Sequence, residues 1–336
     1  METTGILASI TISFSSALLF AYLLHWFDRF EKEPFLLLAG VFLWGAVVAA
    51  GGAFIVNTVL GLGVLVFTGS EAASDLVTSS LTAPLIEEIL KGFAVLIVFF
   101  AFRNQFDSLL DGILYAGIAA LGFAATENAY YIYAYGFAEN GWEGFWELAK
   151  IRILLVGWQH PFYTTFFGIG LASSRLNRSL FVKIIAPLVG LALAIFTHAV
   201  HNTLIGALPG VGYISLASTL DWLGWAAMLV FILIAMALEK REIKTYLADE
   251  IALGTLTETQ YQTAISATRV NRQRAKALFT GHYRPVNRFY RIAARLAIKK
   301  KLLARVGEEG GSLARIDKLR EETHQLSQTL INAGKL

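Results

Sequence analysis

Ionisable side chains lie within stretches of this sequence that are otherwise apolar, and they are of the types that hydrolytic sites use. Glu87 and Glu88 are adjacent, and Lys91 follows three and four residues later, where it would share one helical face with both carboxylates. Three further apolar stretches each contain one such residue: Glu127, His160 and His198. A charged group at membrane depth costs free energy, so each of these residues is predicted to have a function.

A metal site is one chemistry that these residues allow. Glu127, His160 and His198 can hold an ion such as Zn²⁺ with an open position for water, which leaves a second glutamate as general base. The sequence contains no H-E-x-x-H motif, so such a site would not have the arrangement of a zincin.

A site without a metal is the other chemistry that fits. A buried glutamate would activate water directly, while histidine and asparagine side chains stabilise the oxyanion. Lys91, Asn128 and Asn202 are predicted to support the catalytic residues. Asn202 lies four residues after His198 on the same helical face, where it can orient a substrate or a ligand. The chain has no cysteine, which excludes catalysis by a thiolate.

Other polar residues in these stretches are expected to have structural roles. His201, three residues after His198, is typical of a core histidine. Ser218 and Asp221 have the spacing of a capping box at the start of a helix. Lys150 and Arg152 lie near the end of an apolar stretch and are expected to extend to the outer membrane interface.

The composition indicates that these residues are carried by membrane helices. Of the 336 residues, 56% are hydrophobic and only 16% are charged, which predicts an all-α bundle that crosses the membrane several times. Residues 58–67 are apolar but short, so they extend the second span, re-enter the membrane or lie in the interface. Glycines at 112, 117 and 122 suggest close helix contacts. Seven spans are predicted, at about 5–27, 35–57, 79–102, 109–135, 150–173, 182–207 and 219–238.

The depth and orientation of the spans place the candidate residues in one layer. Basic loops alternate with loops that lack basic residues, which predicts an N-terminus outside a prokaryotic cell membrane and a C-terminus in the cytoplasm. Counted from the outer end of each span, Glu88, Glu127, His160 and His198 all lie about 12–15 Å deep. They would therefore meet near the middle of the membrane if the four helices form a bundle.

The chain is predicted to divide into a transmembrane domain that carries the candidate site, 1–238, and a helical basic cytoplasmic tail, 239–336. The tail holds 19 of the 28 basic residues and 10 of the 25 acidic ones. Residues 287–306 form an amphipathic pattern that predicts either a membrane-surface helix drawn to anionic lipid or a helix packed within a small cytoplasmic domain. Aromatic residues are sparse among the basic ones, so no nucleic-acid partner is expected.

Four motifs in order along the chain resemble the PrsW family of intramembrane proteases, which is related to the CAAX-protease and bacteriocin-processing group. The resemblance covers about residues 79–207 and implies cleavage of membrane-anchored protein substrates, anti-sigma factors in the best-known branch. It implies catalytic roles for Glu87 and Glu88, with Glu127, His160 and His198 as partners. The motifs are Glu87-Glu88-x-x-Lys91, Phe123-x-x-x-Glu127-Asn128, His160 followed by Phe162-Tyr163-Thr164-Thr165-Phe166-Phe167-Gly168, and His198-x-x-x-Asn202.

Two other classes of protein compete with an intramembrane endopeptidase. A proton- or cation-coupled transporter also uses glutamates and histidines at the membrane midplane, but it would show an inverted repeat, and none is visible here. A non-catalytic scaffold or sensor could act through the basic tail. Loss of reporter cleavage on substitution of Glu88 or His198, with ion flux unchanged, would distinguish the endopeptidase from both.

Overall fold

A computed structural model of the chain describes residues 2–157, 159–206 and 211–334, and every regular element in these residues is helical. The α-helices are α1 (Glu2–Phe27), α2 (Phe35–Leu43), α3 (Ala50–Thr68), α4 (Glu71–Val77), α5 (Ala83–Ala101), α6 (Leu109–Tyr131), α7 (Ala138–Ala149), α8 (Gln159–Arg175), α9 (Leu180–Gly206), α10 (Val211–Leu247), α11 (Asp249–Ala252), α12 (Glu258–Ala264), α13 (Ala267–Phe279), α14 (Tyr283–Val306) and α15 (Ser312–Asn332). Short π-helical segments are Trp44–Ala49, Thr78–Thr82, Ile132–Phe137 and Lys150–Leu155, and Arg103–Gln105 is a 3₁₀ turn.

Helices that are long and apolar enough to cross a membrane are present, as predicted. Five such stretches occur in the described residues: Glu2–Phe27, Phe35–Thr68, Leu109–Arg175, Leu180–Leu204 and Ser215–Ala252. The stretch Leu109–Arg175 contains two of the predicted spans, and α5, which corresponds to the third, carries three charged residues. The all-helical class is confirmed, and the number of seven spans stays a prediction. Residues 58–67 simply continue α3.

The chain forms two compact units. The first consists of Met1–Trp26, Glu33–Arg175 and Leu180–Ile232, and the second of Phe27–Lys32, Leu176–Ser179 and Leu233–Leu336. The predicted functional division at residue 238 stays a prediction.

Helix α6 packs against its neighbours in the first unit through glycines that bring backbones into contact. A Cβ atom on Gly112 would lie 2.3 Å from the carbonyl oxygen of Gly168 on α8. A Cβ on Gly122 would lie 2.0 Å from the carbonyl oxygen of Phe42 on α2. Both distances are far inside van der Waals contact, so only glycine permits these crossings. The close helix contacts suggested by these glycines are thus confirmed.

Helix α10 does not begin where a capping box was predicted. It runs over Val211–Leu247, so Ser218 and Asp221 lie in its interior, and that prediction is wrong. The apolar residues before Ser218 continue the helical pattern, and a capping residue starts a helix only where the preceding chain is not helical. The Asp221 carboxylate instead accepts a hydrogen bond from the Gln159 side chain on α8.

The second unit has its own hydrophobic core, to which α14 contributes its apolar face. Phe289, Ala293 and Leu296 on this helix have no exposed surface and pack with residues such as Ile243 and Leu330. The apolar face of the amphipathic pattern at 287–306 is therefore used inside a helical core. This favours packing within a small domain over insertion of that face into lipid.

Candidate active site

The ionisable residues singled out from the sequence lie on four helices that meet inside the first unit. Helix α5 carries Glu87, Glu88 and Lys91, while α6, α8 and α9 carry Glu127, His160 and His198 respectively. Burial is nearly complete for several of them, since Lys91 is 0%, Glu88 1% and His198 3% exposed.

Glu88 lies at the centre of a hydrogen-bonded group. Its Oε1 atom is 2.6 Å from the Lys91 ammonium, three residues further along α5, and 2.9 Å from Nδ1 of His198. Its Oε2 atom accepts a hydrogen bond of 2.8 Å from the Thr164 hydroxyl on α8. Both carboxylate oxygens are therefore engaged, and three helices are tied together at this residue.

His160 lies between a carboxylate and the buried amine. Its Nε2 atom is 2.9 Å from Oε2 of Glu127, and its Nδ1 atom is 3.1 Å from Nζ of Lys91. The same oxygen of Glu127 accepts a hydrogen bond from the guanidinium of Arg152. Arg152 also donates from Nε to Oδ1 of Asn128 at 2.8 Å, so both predicted residues of α6 contact this arginine.

Three of these residues form a group that can hold a metal ion. Glu87, His160 and His198 each offer one ligand atom, and these atoms all lie within 4.8 Å of one another. Oε2 of Glu87 is buried and accepts no hydrogen bond from any residue that the structure describes. It lies 3.9 Å from Nε2 of His198 and 3.8 Å from Nζ of Lys91. Glu127 was predicted from the sequence to be the carboxylate ligand beside the two histidines, but the carboxylate of this group is Glu87.

A cavity of about 300 Å³ adjoins this group. Asn202 lies at its edge, where its side-chain amide donates a hydrogen bond of 2.9 Å to the carbonyl oxygen of Ser79. The lining includes the candidate residues Glu127, His160, His198 and Asn202.

A second, largely apolar cavity of about 180 Å³ adjoins the first. The two cavities share Gln159 and His201 in their linings. The remaining lining of the second is mainly apolar and includes Phe162, Val200 and Gly224.

Comparison with known proteins identifies the family. The sequence pattern of the PrsW family intramembrane metalloproteases matches residues 33–258, well over half of the chain. The chain belongs to this family. Protease PrsW of Geobacillus kaustophilus is 29% identical over 208 residues, which cover 60% of this chain and 80% of that protein. Protease PrsW of Clostridioides difficile is 34% identical over 108 residues, covering 32% and 43% respectively. No solved structure matches.

The chain is therefore an intramembrane protease, which sets aside the transporter and scaffold alternatives. The PrsW match extends well beyond the residues 79–207 that carry the four motifs, and takes in α2, α3 and all of α10. The family is described as metalloproteases, and the buried group of Glu87, His160 and His198 is of a kind that can bind a metal.

Arg152 and Thr164 contact the candidate residues, although neither was predicted from the sequence to have a role in the site. Thr164 lies four residues after His160, and this helical spacing could have placed it on the same face. Arg152 gave no such signal because an arginine near the end of an apolar stretch is typical of an interfacial anchor. Its guanidinium instead lines the cavity, 4.3 Å from the ring centre of Tyr131.

Tyr163 and His201 also lie near His198 in the candidate site. The ring of Tyr163 is stacked on that of His198 with centroids 4.8 Å apart. His201, expected to be a core residue, is buried but lines both cavities beside Gln159. Only the helical spacing of His198 and His201 could have pointed to this position.

Proposed function

We propose that the chain hydrolyses peptide bonds of membrane-anchored proteins in the cavity beside α6, α8 and α9. The observation that carries this proposal is the buried convergence of Glu87, His160 and His198, with ligand atoms within 4.8 Å of one another. Burying so many ionisable groups in an apolar bundle costs free energy that packing alone does not return. A catalytic role in hydrolysis, in which these groups bind and activate water, explains why they are buried in the bundle.

The proposed metal ligands are Glu87, His160 and His198, a carboxylate and two imidazoles of the type that zinc peptidases use. The donor set fits a metal because Oε2 of Glu87 is buried and has no hydrogen-bond partner in the described part of the chain. It also fits because each imidazole has one ring nitrogen 2.9 Å from a carboxylate, His198 from Glu88 and His160 from Glu127. A zinc ion bound there would supply the Lewis acidity that activates water at neutral pH.

Glu88 and Glu127 are proposed to orient the imidazoles. The hydrogen bond to Glu88 places a proton on Nδ1 of His198 and leaves its Nε2 with a free lone pair. The bond to Glu127 similarly leaves Nδ1 of His160 for the metal. Nζ of Lys91 lies 2.6 Å from the Glu88 carboxylate and is proposed to hold it in place. The same Nζ lies 3.1 Å from Nδ1 of His160, so the Lys91 side chain must turn away from His160 for a metal to bind.

Glu127 is also the proposed proton acceptor. Of the three clustered carboxylates it is the one that lines the cavity, and its side chain is 21% exposed. Arg152 and His160 bind its Oε2 atom, while Oε1 forms no hydrogen bond to any residue that the structure describes. Oε1 can therefore take a proton from water and later pass it to the leaving amine. Oδ1 of Asn202 has no hydrogen-bond donor among the residues that the structure describes, so it can accept a hydrogen bond from a backbone N–H of the substrate.

The proposed substrates are membrane-anchored proteins of the anti-sigma-factor type, cut in the outer half of the membrane. The apolar cavity that adjoins the polar one supports a protein substrate, because it can accept an apolar side chain next to the scissile bond. We further propose the prokaryotic cell membrane as location, with the N-terminus outside and residues 239–336 in the cytoplasm.

The test uses full-length protein and a single-pass reporter reconstituted together in liposomes. Wild-type protein should cut the reporter, and Glu127→Gln and His198→Ala should each lower the rate at least about 100-fold. Glu139→Gln, an exposed glutamate on α7, is the matched control and should cut normally. A chelator should stop cleavage and added Zn²⁺ should restore it.

Two results would count against these proposals separately. Cleavage that persists in the chelator but still requires Glu127 would replace the metal with direct activation of water by glutamate. Cleavage that is unchanged in Glu127→Gln and His198→Ala would remove the proposed site altogether.

A further inference from the structure

A cleft rich in arginine lies in the second unit, apart from the protease site. Helix α14 carries Arg284, Arg288, Arg291 and Arg295 at spacings of four, three and four residues, which places them along one face. Together with Asn287 they line a concave region of about 380 Å³. At roughly 30 Å³ per molecule of liquid water, this is room for about a dozen waters or for a small polar ligand.

The positive charge of this arginine cleft is only partly neutralised. Arg288 pairs with Glu322 on α15 at 2.7 Å, and Arg295 pairs with Glu31. Arg284 and Arg291 form no ion pair with any carboxylate in the part of the chain that the structure describes. Like charges three and four residues apart destabilise a helix, so the stripe opposes folding unless something binds it.

The environment of Arg291 indicates a missing acceptor. Its Nε atom is buried and has no hydrogen-bond partner among the described residues. Burial lowers the pKa of the neighbouring Arg274, and the charge of Arg291 lowers it further. A buried guanidinium nitrogen without an acceptor, beside a second cation, is costly in free energy. Arg291 lines the cleft, so an anion bound there would offset the cost of its charge.

We propose that the arginine cleft binds a phosphate-bearing anion through Arg284 and Arg291. Planar guanidinium groups bind phosphate oxygens with paired hydrogen bonds, and four of them on one helix face suit a phosphate monoester or diphosphate. Asn287 adds a donor between the two free arginines. The phosphate comes either from a soluble molecule or from a lipid headgroup, and both present the same chemistry to the cleft.

This inference is independent of the proposed protease mechanism. No residue of the cleft belongs to the site on α5, α6, α8 and α9. The apolar face of α14 is buried, so phosphate recognition would use the opposite, arginine-bearing face. Loss of phosphate binding would leave the hydrolytic proposal untouched, and loss of cleavage would leave this one untouched.

The test compares two double variants of the full-length protein in nanodiscs of neutral lipid. Arg284→Gln with Arg291→Gln removes the two unpaired charges of the cleft. Arg272→Gln with Lys276→Gln removes two exposed charges from the neighbouring α13 and serves as the matched control. Calorimetric titration with pyrophosphate should give binding to wild type and control, and at least about tenfold weaker binding to the cleft variant.

Separate arms identify the source of the phosphate. Vesicles of phosphatidylglycerol, with phosphatidylcholine vesicles as reference, test for a lipid headgroup. If wild type and control bind anionic vesicles but not pyrophosphate, and the cleft variant does not bind the vesicles, the ligand of the cleft is a lipid headgroup. Binding of pyrophosphate alone would assign it to a soluble molecule.

A stability measurement guards against misfolding as the cause of lost binding. Pyrophosphate should raise the unfolding temperature of wild type and control but not of the cleft variant, which should itself be at least as stable as wild type because repulsion is removed. Arg284→Lys with Arg291→Lys keeps the charge and should bind with intermediate strength. Equal loss of binding in cleft and control variants, or no binding of either probe to wild type, would overturn the proposal.

Discussion

The Nδ1 atom of His198 lies 2.9 Å from Oε1 of Glu88, so a carboxylate on α5 sets the ring orientation of an imidazole on α9. Thr164 holds the second oxygen of this carboxylate at 2.8 Å, which limits its rotation. A carboxylate bonded in this way to a metal-binding histidine raises the basicity of the ring and fixes its tautomer.

Glu88→Gln should therefore weaken both metal binding and cleavage about 10- to 100-fold, the range found when the partner of a metal-ligating histidine is removed. Zinc content after dialysis and the rate of reporter cleavage measure the two effects. Glu139→Gln on α7 makes the same chemical change at an exposed position and should leave both unchanged. Wild-type zinc affinity in Glu88→Gln would mean that Glu88 does not position His198.

Lys91 is the cation that the carboxylates on α5 share. Its ammonium is fully buried, 2.6 Å from Glu88 and 3.8 Å from Glu87. Lys91→Met should leave these carboxylates buried without a cation and reduce the free energy of unfolding by about 3–5 kcal/mol. Thermal unfolding in detergent measures the loss.

The control for Lys91 is Lys150→Met, the same substitution at an exposed lysine. It should change the free energy of unfolding by less than about 0.5 kcal/mol. If both variants unfold at the same temperature, Lys91 does not offset the charge of Glu87 and Glu88.

Much of the site could be predicted from sequence because a charged residue in an apolar helix has few structural explanations. The cost of burial singled out Glu87, Glu88 and Lys91, and the depth of each predicted span indicated that His160 and His198 would be near them. The structure brings these residues together.

What the sequence could not provide is the pairing of atoms. Glu87 and Glu127 are the same residue type at similar depth, and only the packing of α5 and α6 decides which of them adjoins both histidines. Arg152 lies in a π-helical segment, and no simple periodicity predicts where such a segment directs its side chains. The interior position of Asp221 was missed because a capping pattern recurs by chance inside long helices.

Arg152 links Glu127 to Asn128 through separate nitrogens of one guanidinium. Nε donates to Asn128 at 2.8 Å and the terminal nitrogen donates to Glu127. Arg152→Lys keeps the charge but has no planar fork, so it cannot make both contacts. We expect kcat for reporter cleavage to fall at least about tenfold with a smaller change in KM, because the role proposed for Glu127 is in the chemical step.

Steady-state kinetics with the liposome reporter give both constants. Lys150→Arg, the reverse exchange at an exposed position, should change neither. A rise in KM with kcat unchanged would assign Arg152 to substrate binding instead of to the placement of Glu127.

Gly112 and Gly168 form a close crossing of α6 and α8, the helices that carry Glu127 and His160. A Cβ on Gly112 would lie 2.3 Å from the carbonyl oxygen of Gly168, so Gly112→Ala must push the two helices apart. A displacement of about 1 Å between the proposed catalytic groups would be enough to cost about 100-fold in rate. Gly112→Ala should therefore lower both the unfolding temperature and the cleavage rate.

Gly51→Ala is the matched control, because a Cβ at this helical glycine on α3 meets nothing within 4 Å. Alanine is the better helix former, so this variant should be more stable by about 0.5–1 kcal/mol and cut the reporter normally. Unfolding temperatures and cleavage rates of the two variants, measured in parallel, separate steric displacement from the general effect of adding a methyl group. Equal behaviour of the two would show that the distance between α6 and α8 is not set by these glycines.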